Sequence, residues 1–307
     1  MDSATTTSGQ PLGRPVWNKV PEITLYFWII KVLCTTVGET ASDYLNSTLG
    51  FGINKTALLM GGLLVAALVL QFAYKKYVPA IYWIVVVLVS IVGTLITDKL
   101  TDDYGIPLEI TALAFAVILA LVFALWFRQE KTLSIRTIYT PKREGFYWAA
   151  VLTTFALGTA AGDLLLEKLG DAFGTIPADV PGGEDLSAHP QAALLVSGGL
   201  FLAVIAAAAL GHLLLKWNSV LMFWTAYIFT RPLGANIGDF LTLDPDEGGL
   251  GISKALINGV FALLIIALVA YLTITKKDTH PDPHFIVETK DEQVHHPPHE
   301  PPEHPAP

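Results

Sequence analysis

The segment WIIKVLCTTVGETASDYL, beginning at Trp28, sets Lys31, Thr35, Glu39 and Asp43 at successive intervals of four in an otherwise apolar stretch. On a helix these four positions drift slowly around one side. Glu39 and Asp43 then form a carboxylate pair on adjoining turns, suited to oxygen ligation of a hard cation. Lys31 is placed to neutralise that pair when no cation is bound. The competing reading has Lys31 and Glu39 locking helices together, while Asp43 merely ends its segment.

The same frame recurs three more times, as WIVVVLVSIVGTLITDKL from Trp83, WAAVLTTFALGTAAGDLL from Trp148 and WTAYIFTRPLGANIGDFL from Trp224. Each copy places Gly ten residues after Trp, Asp five after Gly and Leu two after Asp. The glycines are Gly38, Gly93, Gly158 and Gly234, and the aspartates are Asp43, Asp98, Asp163 and Asp239. A carboxylate at a helix C-terminus sits badly with the helix dipole, which a bound cation would correct. Four copies in parallel would bring the four aspartates to one depth as a set of acidic cation ligands. The plainer alternative is that each Asp begins a loop and binds backbone amides there. For the glycines, close helix packing is favoured over local unwinding.

The copies differ in polar content. The fourth carries Arg231, Pro232 and Asn236, and its proline predicts a break or kink that leaves Arg231 buried beside a carboxylate such as Glu39 or Asp163. Arg231 and Asn236 join Lys31 as gating or charge-balancing residues. Such unequal copies favour a transporter with one or two sites over a symmetric channel. Glu109 is placed either to join Asp98 or to serve as a first-turn carboxylate. Trp28, Trp83, Trp148 and Trp224 are expected to anchor at the membrane interface and to pack. The tail from Lys276 holds six of the eight histidines, His280, His284, His295, His296, His299 and His304, among acidic residues and prolines. This composition predicts a disordered segment able to bind divalent metals weakly.

The elements that must position these groups are membrane helices. Of 307 residues, 52% are hydrophobic and only 15% charged. The stretches Thr56 to Tyr74, Tyr77 to Thr97, Ile110 to Phe127, Gly145 to Gly162, Leu186 to Leu215 and Ala255 to Thr275 lack Asp, Glu, Lys and Arg altogether. Each is long enough to cross a bilayer. With the polar motif segments, the sequence predicts an all-α bundle of eight spans in four parallel two-helix repeats. The boundaries are 1–21 for an N-terminal segment, 22–76, 77–144, 145–216 and 217–275 for the repeats, and 276–307 for the tail. The second helices begin with the related strings GINK at Gly52, GIPLE at Gly105 and GISK at Gly251, with AHPQ at Ala188 as the divergent member.

Charge bias predicts the sidedness. Thirteen Lys and Arg residues lie on the side of the termini and four, Lys55, Lys99, Lys168 and Lys254, on the other, so both termini are expected in the cytoplasm. The opposite loops are acidic, which would concentrate cations. A net charge of -8 argues against nucleic acid as a partner. The single cysteine, Cys34, excludes an intramolecular disulfide framework and a Cys-rich metal site. The N-terminus is not read as a cleaved signal peptide.

The four tryptophan-bearing repeats, together with the opening NKVPEITLYFWIIKVLCTTVGETASDYL from Asn18, resemble a bacterial membrane-protein family built from four tandem two-span repeats of unknown function. The resemblance implies a bacterial inner-membrane location and no particular activity. The residues themselves predict a small-cation transporter, in its sharpest form a proton-coupled exporter of a divalent metal such as Mn or Zn. A metal-sensing scaffold and a cation channel are the alternatives. No hydrolase triad, nucleotide loop or redox CxxC is present, so an enzyme ranks below these. No tightly bound cofactor is expected. The expected partners are lipid, the transported cation and protons, with a homo-oligomer left open.

Overall fold

The protein is described by a computed structural model covering residues 14–174, 190–279 and 284–286. Eight helices follow in order: α1 (Leu25–Asp43), α2 (Ile53–Ala73), α3 (Pro79–Asp98), α4 (Leu108–Glu130), α5 (Pro141–Gly174), α6 (Pro190–Leu215), α7 (Ser219–Thr242) and α8 (Lys254–Thr275). Thr24 caps α1 by accepting from the Phe27 amide, and Asn218 caps α7 by accepting from Val220 and Leu221. Gly52, Gly105 and Gly251, which open the related strings before α2, α4 and α8, all have positive φ. That conformation is why the strings begin with glycine. Two short strands, β1 (Arg14–Val16) and β2 (His284–Ile286), pair antiparallel, so the tail is not wholly unstructured.

The packing order turns four repeats into a closed ring. α1 packs on α3 and α7, and α5 packs on the same two, giving an inner square α1–α3–α5–α7. Each second helix packs chiefly on the motif helix of the following copy: α2 on α3, α4 on α5, α6 on α7, and α8 back on α1. The apolar windows of these four outer helices are less than a third buried, whereas those of α3 and α5 are half buried or more. Outward leucine, isoleucine and valine surface is what a lipid solvent requires. Six helices are individually long and apolar enough to cross a membrane. The other two, α1 and α7, keep their charges inside the ring. This is a polytopic all-α membrane protein.

One contact, repeated around the ring, sets the axial register. A Cβ placed on Gly38 would strike Ser90, one on Gly93 would strike Phe155, one on Gly158 would strike Arg231 and Pro232, and one on Gly234 would strike Thr35. Thr35, Ser90, Phe155 and Arg231 each lie three residues before their own motif glycine. Every glycine therefore receives the minus-three side chain of the next copy. Packing, not unwinding, is the use of all four glycines. Hydroxyls reinforce the same interfaces: Thr36 donates to the Gly234 carbonyl at 2.8 Å and Thr97 to the Ala156 carbonyl at 3.0 Å. Such interhelical bonds average about 0.6 kcal/mol in a membrane, so the close backbone approach dominates.

The ring ends differ. At the tryptophan end, Trp83, Trp148 and Trp224 are buried core residues rather than interface anchors, and only Trp28 is partly exposed. The residue before each tryptophan, Phe27, Tyr82, Tyr147 and Phe223, is also aromatic and buried. Ring contacts at 5.1–6.1 Å, such as Phe27 with Trp83, Trp28 with Phe223 and Tyr82 with Trp148, join these residues across the end of the square. The buried segment Asn18–Pro21 closes the same end. Lys19 pairs with buried Glu144, Gln71 donates to the other Glu144 oxygen at 3.0 Å, and the Tyr77 amide donates to the Asn18 carbonyl at 3.0 Å. The NKVP string is thus a structural plug tying α2, α5 and the α2–α3 loop together.

Replacing Gly158 with Val should lower the thermal unfolding midpoint in detergent, since overpacking against Arg231 and Pro232 costs about 1–3 kcal/mol. Gly62→Val, where nothing lies within 4 Å of an added Cβ, should leave it unchanged. Equal shifts for the two variants would contradict the proposed register contact.

Candidate functional site

At the end opposite the tryptophans, the motif helices bring their aspartates together. Asp43, Asp98, Asp163 and Asp239 all lie within electrostatic reach of Glu39. All five carboxylates are partly exposed although they crowd the centre of the square. They line an acidic bowl. Asp102 contributes to the same field. The helices do not all stop at these residues. α1 and α3 pass into π-helical turns at Tyr44–Thr48 and Lys99–Asp103, α7 runs three residues past Asp239, and α5 continues eleven residues past Asp163. The dipole conflict expected at four helix ends is therefore confined to three, and Asp163 is a mid-helix carboxylate.

Arg231 forms the floor of the bowl. Its side chain is fully buried and crosses the axis from α7 toward α3, with Nη2 donating to Glu39 Oε2 at 2.5 Å and to Thr94 Oγ1. Glu39 retains 13% side-chain exposure, so the pair has one dry and one wetted member. Arg231 Nε and Nη1 have no hydrogen-bond partner. Of the two carboxylates expected beside Arg231, Glu39 is the partner. Of the expected break or kink, the break is absent, since α7 is continuous through Pro232. Gly158 and Gly162 on α5 leave room for the proline ring, so the helix accommodates it by packing.

The remaining acids divide into paired and unpaired. Lys254, at the start of α8, donates to Asp43 Oδ2 at 2.8 Å, and Asp43 keeps 35% side-chain exposure. Among the described residues, no cation pairs with Asp98, Asp163 or Asp239. Five carboxylates face two cations, Arg231 and Lys254, leaving three negative charges unbalanced when all are ionised. Among the described residues, no three His, Cys, Asp or Glu side chains stand close enough to hold a metal ion. The bowl is an acidic vestibule, not an assembled metal centre.

Several candidates occupy other surroundings. Lys31 does not neutralise Glu39 and Asp43. Its ammonium is buried without a hydrogen-bond partner, 4.0 Å from the Phe155 ring centre and 4.2 Å from that of Tyr227. Helical side chains lean toward the N-terminus, and Glu39 lies two turns the other way, so Lys31 points out of the bowl. Asn236 donates to Ser197 at 2.6 Å and ties α7 to α6, outside the bowl. Glu109 pairs with Lys168 at 2.8 Å rather than joining Asp98. His280, His295, His296, His299 and His304 lie outside the described residues, and His284 is described only as backbone, paired with Val16. A cleft of about 850 Å³ between α2, α3 and α8 is lined by aliphatic side chains, Trp83 and Thr273, and offers no cation ligand.

Thr94 and Lys254 escaped the sequence argument as site members. The available signal for Thr94 was its place one residue after Gly93, the position Glu39 holds after Gly38. Lys254 gave no local signal, because only the closure of α8 onto α1 carries it to Asp43.

The profile of a family described as Repeat of Unknown Function (DUF347) matches residues 26–77, 81–132 and 222–278, more than half of the chain. The chain belongs to this family. The matched segments are the first, second and fourth copies of the DUF347 repeat. The unmatched third copy nevertheless supplies Gly158, Asp163 and a full side of the inner square. No curated protein and no solved structure matches the chain.

Glu39→Gln leaves the Arg231 guanidinium buried without its counter-ion and should destabilise by about 3–5 kcal/mol. Arg231→Met should also lower the unfolding midpoint, while the double variant should fall by clearly less than the two single shifts combined. Strict additivity in this cycle would mean that the pair is not coupled.

Proposed function

We propose that this protein carries small cations across a bacterial inner membrane, most specifically exporting a divalent metal such as Mn or Zn in exchange for protons. The observation that carries the proposal is the charge count: a partly exposed bowl of five carboxylates, three negative charges in excess of the two cations that pair with them, at membrane depth. Intramembrane carboxylates are costly unless neutralised. A divalent cation would offset as much of that excess as two protons. The two can therefore exchange for one another at the same carboxylates.

The pairing suggests how occupancy is sensed. Asp98, Asp163 and Asp239 have no cation to surrender and would meet the ion first. Completing its oxygen shell requires Glu39 to leave Arg231 and Asp43 to leave Lys254. Cation binding thereby frees the guanidinium that closes the bowl floor, coupling occupancy to the barrier across the axis. At the opposite end, the aromatic layer and the buried Asn18–Pro21 segment cover the square. The reading thus assigns the present state as open only at the aspartate end. The thirteen-to-four basic bias favours that end outside and the termini in the cytoplasm. The histidine-rich tail would then meet metal before export. A scaffold reading draws on the buried Arg231–Glu39 pair, which also fastens α1, α3 and α7 together.

Two measurements test the proposal. A cysteine introduced for Asp246 should react with an impermeant thiol reagent in intact cells, and one for Lys75 only after permeabilisation, with buried Cys34 silent in both. In sealed vesicles, Asp43→Asn and Asp239→Asn should each reduce saturable Mn flux at least tenfold without loss of membrane insertion. Wild-type-like flux in an inserted Asp43→Asn, Asp239→Asn double variant would overturn the site and favour the scaffold.

A further inference from the structure

A second cleft, of about 550 Å³, opens at the tryptophan end between α6, the first turns of α7, the start of α1 and the α4–α5 connection. From Ile205 to Leu213 it extends about 12 Å along α6 by the helical rise. Leu25 and Leu213, which line it, are 73% and 71% exposed, and in a membrane protein such apolar surface faces lipid. Toward the middle of the bundle its walls are Ile205, Ala209 and Ala226. The end nearest the α6–α7 turn is polar, with Ser134, Arg136, His212 and Ser219. No acid lines the cleft.

The connection that carries Arg136 is fastened in place. Trp224 Nε1 donates to the Leu133 carbonyl at 3.0 Å, Asn18 Nδ2 donates to the Ile135 carbonyl at 3.2 Å, and Ser134 caps the short turn Ile135–Thr137 by accepting from the Arg136 amide at 3.3 Å. The cations at the start of α5 are already neutralised, since Glu130 pairs with Arg143 at 2.7 Å and with Lys142 at 3.7 Å. Among the described residues, no acid pairs with Arg136. His212 Nδ1 faces the Trp217 carbonyl at 3.3 Å, so Nδ1 carries the proton and Nε2 is left for a ligand. Partly exposed Trp28 and exposed Trp217 place this level at the membrane interface.

We propose that this cleft holds one anionic phospholipid, with its phosphodiester on Arg136 and His212 and an acyl chain against α6 and α7. Basic pockets between spans recognise anionic headgroups. The planar guanidinium fork of Arg136 matches two phosphate oxygens, a protonated His212 donates through Nε2, and the Ser134 and Ser219 hydroxyls are further donors. Phosphatidylglycerol, with one net negative charge, fits this set. Phosphatidylethanolamine brings an ammonium that finds no acid in the lining and faces Arg136 instead. Inorganic phosphate would meet the same cations but leave the apolar walls uncovered, so the ligand is the lipid and not the free ion. The aliphatic cleft between α2, α3 and α8 has no cation in its lining and offers an acyl chain no headgroup partner. This inference stands apart from the transport reading and is tested without a flux.

The test titrates the full chain in mild detergent with phosphatidylglycerol or phosphatidylethanolamine and counts bound lipids per chain by native mass spectrometry. The wild type should retain one phosphatidylglycerol at concentrations where phosphatidylethanolamine occupancy is at least fivefold lower. Arg136→Gln should cut phosphatidylglycerol occupancy at least fivefold. Arg128→Gln, which removes another exposed arginine from the same end of the bundle, should stay within twofold. Because Arg136 is exposed and makes no ion pair, its variant should keep the wild-type unfolding midpoint. Excess inorganic phosphate should leave the lipid in place. Undiminished occupancy in Arg136→Gln, or equal losses in the two arginine variants, would overturn the site. Equal retention of the two lipids would overturn the headgroup assignment, and displacement by phosphate would replace the lipid site with an ion site.

Discussion

The close approach at the motif glycines is the constraint on which the remaining architecture depends. Thr35 against Gly234, Ser90 against Gly38, Phe155 against Gly93 and Arg231 against Gly158 form one contact made four times. In a bilayer, helices gain little from hydrophobic burial against each other, so close packing and short polar contacts must supply the association. Because the receiving glycine and the inserted residue keep a fixed offset in every copy, the contact fixes the relative height of all four helices. The aspartates five residues further on then reach one level without any direct contact among themselves. Unlike side chains can also occupy equivalent places, since Thr, Ser, Phe and Arg fill the same position in a common backbone frame.

That unequal filling makes a chemically asymmetric centre from a fourfold scaffold. Arg231 spans the axis because its copy alone places a long cation at the inserted position, and Glu39 meets it because the first copy alone has a carboxylate after the motif glycine. A buried ion pair of this kind need not add net stability, as desolvation offsets much of the attraction. Its cost is easier to understand if the pair must open. The three unpaired aspartates above it and the dry aromatic layer below it give the two sides of the pair different access to water.

Much of this was legible in the sequence because it obeys a linear rule. Six of the eight helices follow charge-free stretches and the other two the polar motif segments, the four copies follow the Trp–Gly–Asp spacing, and the packing use of glycine follows from small residues at matching positions. The Arg231–Glu39 pair was also within reach, since an intramembrane arginine needs an acid. Ring order was not legible. Nothing local in α8 announces that it closes on α1 and delivers Lys254 to Asp43. The environment of Lys31 failed for a directional reason, because spacing puts it on the face of Glu39 while side-chain tilt sends it the other way. Pro232 failed as a helix breaker because the relieving space belongs to another copy, at Gly158 and Gly162. The tryptophans looked interfacial by position along each span, but the plug at Asn18–Pro21 covers that end and turns them into core.

The central claim is that the unpaired aspartates of the bowl hold a divalent cation. The direct measurement is the number of Mn ions bound per chain by electron paramagnetic resonance, for the wild type and for Asp98→Asn, Asp239→Asn. Comparing two full-length chains cancels any metal held by the histidine tail. The account predicts that the variant binds one ion fewer per folded chain. An unchanged number at saturating Mn, with the bundle intact, would contradict it.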